Sequence, residues 1–111
     1  MRHEMRLHDD PFKLIVAGTK TIELRLYDEK RQEIHVGDEI EFTNRVTNEK
    51  QLTKVIVVHI YSSFADLYRD YDKVSLGYRK DEEANPEDME LYYSKEEQEK
   101  YGVVGIEIVL I

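Results

Sequence analysis

Apolar positions recur along this chain with two different periods. From Thr21 to Tyr27 they alternate, with Ile22, Leu24 and Leu26 on one side and Thr21, Glu23, Arg25 and Tyr27 on the other. That is the pattern of a strand with one core face and one polar face. Ile40 and Phe42 repeat it after a tight turn at Val36, Gly37 and Asp38, and Val104, Ile106, Ile108 and Leu110 repeat it near the end. Met5 to His8 reads as a short strand. Val55 to Ile60 is a continuous apolar run, which predicts a strand buried on both faces with His59 as a core histidine. Helical spacing appears first at Phe12, Ile15 and Val16, after Asp9 or Asp10 as a cap and Pro11 in the first turn, with Gly18 as the stop. It returns at Phe64, Leu67, Tyr68 and Tyr71, behind a Ser63/Asp66 capping signature. Asn85 and Pro86 can start another short helix. Ser94 with Glu97 opens a last one, which Gly102 ends. Residues 28–33 read as a charged loop, 47–50 as a hairpin loop and 72–85 as an exposed acidic connection.

About five strands and two to four short helices result. They predict an α+β fold, a small mixed and mainly antiparallel β-barrel with flanking short helices. An open sheet with helices on one face is the alternative. The 111 residues fit a single domain spanning 1–111, with no internal repeat, low-complexity tract or linker.

Charge narrows the function. The net charge is -8, and it is uneven: residues 1–60 carry 10 basic and 11 acidic residues, residues 61–111 carry 6 and 13. So acidic a chain is a poor partner for long duplex DNA, because phosphate attraction supplies most non-specific affinity. A local basic cleft in the first half could still hold a nucleotide or a short strand. The absence of cysteine excludes disulfides, thiolate metal sites and cysteine nucleophiles. No apolar stretch reaches the roughly 18 residues of a membrane span, and the N-terminus lacks a signal-peptide core, so a cytoplasmic domain is expected. His3-Glu4-Met5-Arg6-Leu7-His8 is one residue too long for a zinc-protease motif and reads as a strand. Asp70 and Asp72 suggest a calcium loop, but Ser75 stands where the sharp turn needs glycine. No metal and no cofactor is expected.

The dense chemistry is Gly18-Thr19-Lys20-Thr21-Ile22-Glu23-Leu24-Arg25, which follows a helix end and opens a strand. Thr21, Glu23 and Arg25 share a strand face at two-residue steps, with Lys20 at the junction. A lysine and an arginine suit a phosphate or a base edge, and a glutamate between them can orient either cation or accept from a base amino group. A buried Lys20–Glu23 pair can also shuttle a proton. The competing reading is a solvated strand face with a Glu23–Arg25 ion pair, worth ~0.5 kcal/mol.

Gly18, Lys20, Thr21, Glu23 and Arg25, followed by Gly37 and Asp38, resemble the first half of the ASCH (activating signal cointegrator homology) family of the PUA-like superfamily. The C-terminal run from Tyr92 to Ile108, with Tyr101 and Gly102 at a helix–strand junction, is similar to the family's last helix and strand. The resemblance implies a small β-barrel with a cleft beside its mouth, where the family is thought to bind RNA or nucleotides, and it places Lys20 and Arg25 in that cleft. Some bacterial relatives are amidohydrolases acting on acetylated cytidine, with a lysine base and a threonine nucleophile two residues before the arginine; here that position is Glu23. Other relatives are reported as ribonucleases.

Three functions follow as expectations. The first is a binding module for RNA or a nucleotide through Lys20, Thr21, Glu23 and Arg25, with a base stacked on Tyr27 or Tyr93. The second is a hydrolase with Lys20 as base and Glu23 as acid or base. The third is an interaction module marked by an exposed apolar patch. Convergence of Lys20, Glu23 and Arg25 on one concave pocket separates the first two from the third.

Overall fold

The computed structural model describes residues 1–111. Five strands, β1 (Arg2–Leu7), β2 (Ile22–Leu26), β3 (Glu39–Asn44), β4 (Lys50–Tyr61) and β5 (Val103–Leu110), form one sheet in the order β1-β3-β4-β5-β2. Only the β1–β3 pair is parallel. The sheet curls into a half-barrel, the expected α+β arrangement. β1 and β2, consecutive strands in the chain, become its two edges and face each other across a seam. Arg25 spans that seam, its Nη2 donating to the Arg6 carbonyl at 3.4 Å.

Three short helices flank the sheet: α1 (Asp9–Val16), α2 (Phe64–Asp70) and α3 (Lys95–Tyr101). α1 buries Phe12 and Ile15 against one sheet face, whose core holds Met5, Leu7, Ile40, Phe42, Val55, Val104, Ile106 and Ile108. Val16, expected in the same stripe, is exposed. The residue before the helix is His8, not an aspartate cap, and no side chain caps the start. Asp9 lies in the first turn instead, accepting from Asn44 at 2.9 Å and pairing with Lys13 at 2.8 Å.

α2 covers the other face. Phe64 and Leu67 pack on Ile22, Leu24, Leu26, Leu76 and Val103. The approach is close enough that a Cβ on Gly105 would meet the Leu67 side chain at 3.2 Å, so a larger residue there requires Leu67 to shift. Ser63 accepts from the Asp66 amide at 3.2 Å, and Ser94 with Glu97 forms the reciprocal capping box of α3. Asn85 caps a 3-10 helix at Pro86–Leu91.

Two expectations fail. The apolar run Val55 to Ile60 is not buried on both faces: Ile56 and Ile60 are exposed, Ile60 by 57%. β3 begins opposite Lys54, so the second half of β4 pairs with β5 alone; Val58 and Tyr61 still pack on the two cores, while Ile56 and Ile60 are left exposed. His59 is accordingly an exposed residue rather than a core one, with its Nδ1 2.7 Å from the Tyr71 hydroxyl. Residues 72–85 are more than an exposed connection. Acidic residues 81–83 are exposed, but Leu76 is buried and the Ser75 carbonyl accepts from the amides of Thr21 and Ile22. The segment docks on the free edge of β2.

Candidate functional site

The short stretch that carries the candidate chemistry sits at the seam. Ala17 caps the end of α1, and Gly18 at φ +83° turns the chain back so that the Lys20 amide bonds to the Leu14 carbonyl. Lys20 thereby enters the fold one step before β2. Glu23 and Arg25 pair in register with Ile106 and Val104, so they stand on the same sheet face as those core residues, at the strand next to the gap. The polar face of β2 is therefore not solvated: Lys20 is 7% exposed, Glu23 4%, and the Arg25 side chain 14%.

Burial forces these groups to satisfy one another. Glu23 Oε2 accepts from Arg25 Nη2 at 3.1 Å, and Glu23 Oε1 lies 3.5 Å from Lys20 Nζ. The same Oε1 accepts from the Leu24 amide at 3.1 Å. Lys20 Nζ also donates to the Leu76 carbonyl at 3.1 Å, a contact across 56 residues of sequence. Burial pushes the Lys20 ammonium below its ordinary pKa, and the Glu23 charge opposes that without cancelling it. Burial would raise Glu23, but Arg25 and Lys20 outweigh it and hold the carboxyl below its ordinary value. Burial would lower Arg25 as well, but Glu23 and Tyr93 outweigh it. The result is one carboxylate shared by two cations, with one positive charge in excess.

The triad lies in a cavity of about 610 Å³. α1, the ends of β1 and β3, residues 76–82 and residues 88–93 complete its lining. Five cationic side chains (Arg6, Lys20, Arg25, Arg45 and Arg79) face four carboxylates there, so the cavity is locally positive in a chain of net charge -8. Aromatic rings form much of the remainder. Tyr93 stacks on Phe64 with centroids 6.1 Å apart and lines the cavity with Arg25. Tyr68 and Tyr78 meet at 3.0 Å between their hydroxyls, and Tyr78 donates to Asp88 at 2.7 Å. Burial raises the pKa of both phenols, so they remain neutral donors at physiological pH. This bridge joins α2, the 72–85 segment and the 3-10 helix into one wall.

Of the residues selected from sequence, Lys20, Glu23, Arg25 and Tyr93 come together on the cavity. Thr21 and Tyr27 do not line it: Thr21 is held by Ser75 and Ile108 through its backbone, and Tyr27 packs against the first core. Sequence reasoning missed the Leu76 carbonyl, Tyr68, Tyr78, Tyr92 and the arginines at positions 6, 45 and 79. One signal was present in Gly77, at φ +108°, where a Cβ would strike the Lys20 side chain at 3.1 Å. That glycine marks where the backbone closes on the lysine.

A curled, mostly antiparallel five-stranded sheet with short helices matches the ASCH/PUA-like α+β fold. The ASCH domain family model matches residues 5–111, and the chain belongs to that family, which is generally thought to bind RNA. Among solved structures, the chain is similar to hypothetical protein PH0355, with 36% identity, both chains fully covered and a TM-score of 0.83. It is also similar to protein PF0455 from Pyrococcus furiosus, with 34% identity over 100% of this chain and 98% of that one, at a TM-score of 0.72. The ASCH domain from Lactobacillus crispatus shares the fold at 16% identity and a TM-score of 0.66, over 97% of this chain and 79% of that one. Comparison with curated proteins returns no match. No helix is long and apolar enough to cross a membrane.

Proposed function

We propose that this ASCH domain binds single-stranded RNA or a nucleotide, with one nucleoside seated in the seam cavity over Lys20, Glu23 and Arg25. The observation that carries the reading is the convergence of those three side chains on one concave cavity of about 610 Å³, a volume in the usual range for small-ligand sites. The excess positive charge suits a base carbonyl or a phosphate, and Glu23 stays a carboxylate able to accept from a base amino group. Arg25, held by Glu23 and the Arg6 carbonyl, presents a planar donor set without reorganising.

A hydrolase reading draws on one specific observation, the burial that pushes Lys20 towards its neutral, basic form. Against it, Lys20 Nζ is committed as a donor to Leu76 and sits beside Glu23, and no serine or threonine hydroxyl lines the cavity. Binding is the better account.

The test is an NMR titration of the protein with the four ribonucleoside monophosphates and with a single-stranded RNA hexamer. Shift changes should cluster at Lys20, Glu23, Arg25 and Tyr93 and be lost in Arg25→Gln. Saturable changes confined to the exposed strand β4, or none at all, would remove the cavity reading. Release of acetate from N4-acetylcytidine, abolished in Lys20→Met, would replace binding by catalysis.

A further inference from the structure

The chain has seven arginines, and their pairing is uneven. Arg2, Arg25, Arg31, Arg69 and Arg79 each form an ion pair with a carboxylate. Arg6 and Arg45 form none, and neither side chain donates a hydrogen bond, although acidic residues outnumber basic ones by 24 to 16. Both are exposed, and both line the seam cavity. They are also neighbours. Arg6 pairs in register with Thr43, and the Arg45 amide donates to the Leu7 carbonyl at 2.9 Å. Arg6 alternates with buried Met5 and Leu7 and so points to the opposite face, while Arg45 follows directly on the last residue of β3. Strand spacing and rise set their Cα atoms roughly 8 Å apart, a separation that two arginines can close around one phosphate or share between adjacent ones. Tyr92 lines the same cavity, 60% exposed, its ring 6.3 Å from that of His8. Tyr93, by contrast, has one ring face taken by Phe64.

Two chemically different zones result. The triad on the floor is internally paired, buried and geometrically fixed. Arg6 and Arg45 are exposed, unpaired charges, and the exposed ring of Tyr92 lines the same cavity. A free nucleoside needs only the floor. We propose that the cavity takes one nucleotide of a longer single strand, whose flanking phosphodiester runs out over Arg6 and Arg45 and whose next base meets Tyr92. The inference rests on the proposed function and adds to it that the physiological ligand is an oligonucleotide.

The test compares the four ribonucleosides with hexamers of rA, rC and rU by calorimetry across a salt series. The proteins are wild type, the double variant Arg6→Gln/Arg45→Gln, and a control of equal charge, Arg2→Gln/Arg69→Gln. Wild type and control should bind a hexamer about tenfold or more tighter than the nucleoside. The Arg6→Gln/Arg45→Gln protein should lose that advantage, its hexamer affinity falling to that of its own nucleoside binding. Its slope of log K against log salt should fall by about 1.4, from two phosphates at roughly 0.7 each for a single strand. A hexamer advantage that survives in the double variant with an unchanged slope overturns the inference. So does a wild-type protein that binds nucleosides but gains nothing from the hexamer, and that result leaves the cavity reading intact. Absence of binding to both probes overturns both.

Discussion

Replacing Glu23 by glutamine probes the triad with almost no change of shape. The amide oxygen can still accept from the Leu24 amide, but the charge that serves both cations is gone. Lys20 and Arg25 then face each other across a buried site with no counter-charge. Their side chains are 7% and 14% exposed, so water restores little of the lost solvation. Removing one partner of a buried pair costs ~3–5 kcal/mol, and the partial exposure of Arg25 places this case towards the lower end. That is a large share of the roughly 5–15 kcal/mol that holds a typical domain together. In thermal terms it corresponds to a melting temperature lower by roughly 10–20 °C for a domain of this size. Urea unfolding followed by circular dichroism at neutral pH reads the effect directly, with the slope m unchanged.

The pH dependence of that variant carries a second signature. Burial already holds the folded Lys20 below 10.5, and loss of Glu23 lowers it further. A lysine depressed in the folded state destabilises most below its folded pKa, where both states are charged. The penalty disappears above the unfolded value, where both are neutral. Glu23→Gln should therefore recover stability as pH rises through the folded Lys20 pKa towards 10.5. A variant within 1 kcal/mol of wild type, with a flat profile over that window, would refute the claim that one carboxylate holds two buried cations.

Other consequences are open to measurement. In wild type, Glu23 contributes stability above about its unfolded value of 4.5 that is lost as pH falls through the lower folded one, so acid unfolding of Glu23→Gln should be less steep there. Asp38, which accepts from His3 and the His35 amide and pairs with the N-terminal amine, has its pKa lowered to about 2; an NMR titration of its carboxyl should show a midpoint well below 3.8. Gly77→Ala forces a side chain into a left-handed backbone and against Lys20; it should cost ~1–3 kcal/mol in a denaturation experiment, while Gly18→Ala, with nothing within 4 Å, should lose only through its φ of +83°. Leu67→Ala empties the contact with Gly105 and should cost ~2–5 kcal/mol by the same assay.

Local sequence carried the elements whose signals are themselves local. Strand alternation found β2, β3 and β5, serine and asparagine caps found the starts of α2, α3 and the 3-10 helix, and Gly18-x-Lys20-x-x-Glu23-x-Arg25 located the cations of the cavity floor. Alternation could not say what lies opposite each face. The polar face of β2 was equally consistent with solvent, and only the docking of residues 72–85 and 88–93 buries it. Val55 to Ile60 failed for the converse reason. An apolar run states what a strand tolerates, not whether a layer arrives to cover it, and Ile56 and Ile60 remain exposed. The Leu76 carbonyl is invisible in any sequence pattern, because a backbone acceptor belongs to every residue. Arg6 and Arg45 were hidden because their significance is a missing partner, which only the three-dimensional pairing of the other five arginines reveals.

Exposed strand edges are templates for addition of further strands, and folded proteins must blunt them. Two outward amides of β2 are already taken here, Ile22 by the Ser75 carbonyl and Leu24 by the carboxylate of Glu23. Across the seam, Arg25 occupies a carbonyl of β1. The groups that line the cavity thus also act as a guard against aggregation. Substitutions selected to alter ligand preference at Glu23 or Arg25 would at the same time unprotect an edge, so loss of solubility should accompany loss of binding at these positions. At Arg6 and Arg45, whose side chains guard no edge, the two properties should separate.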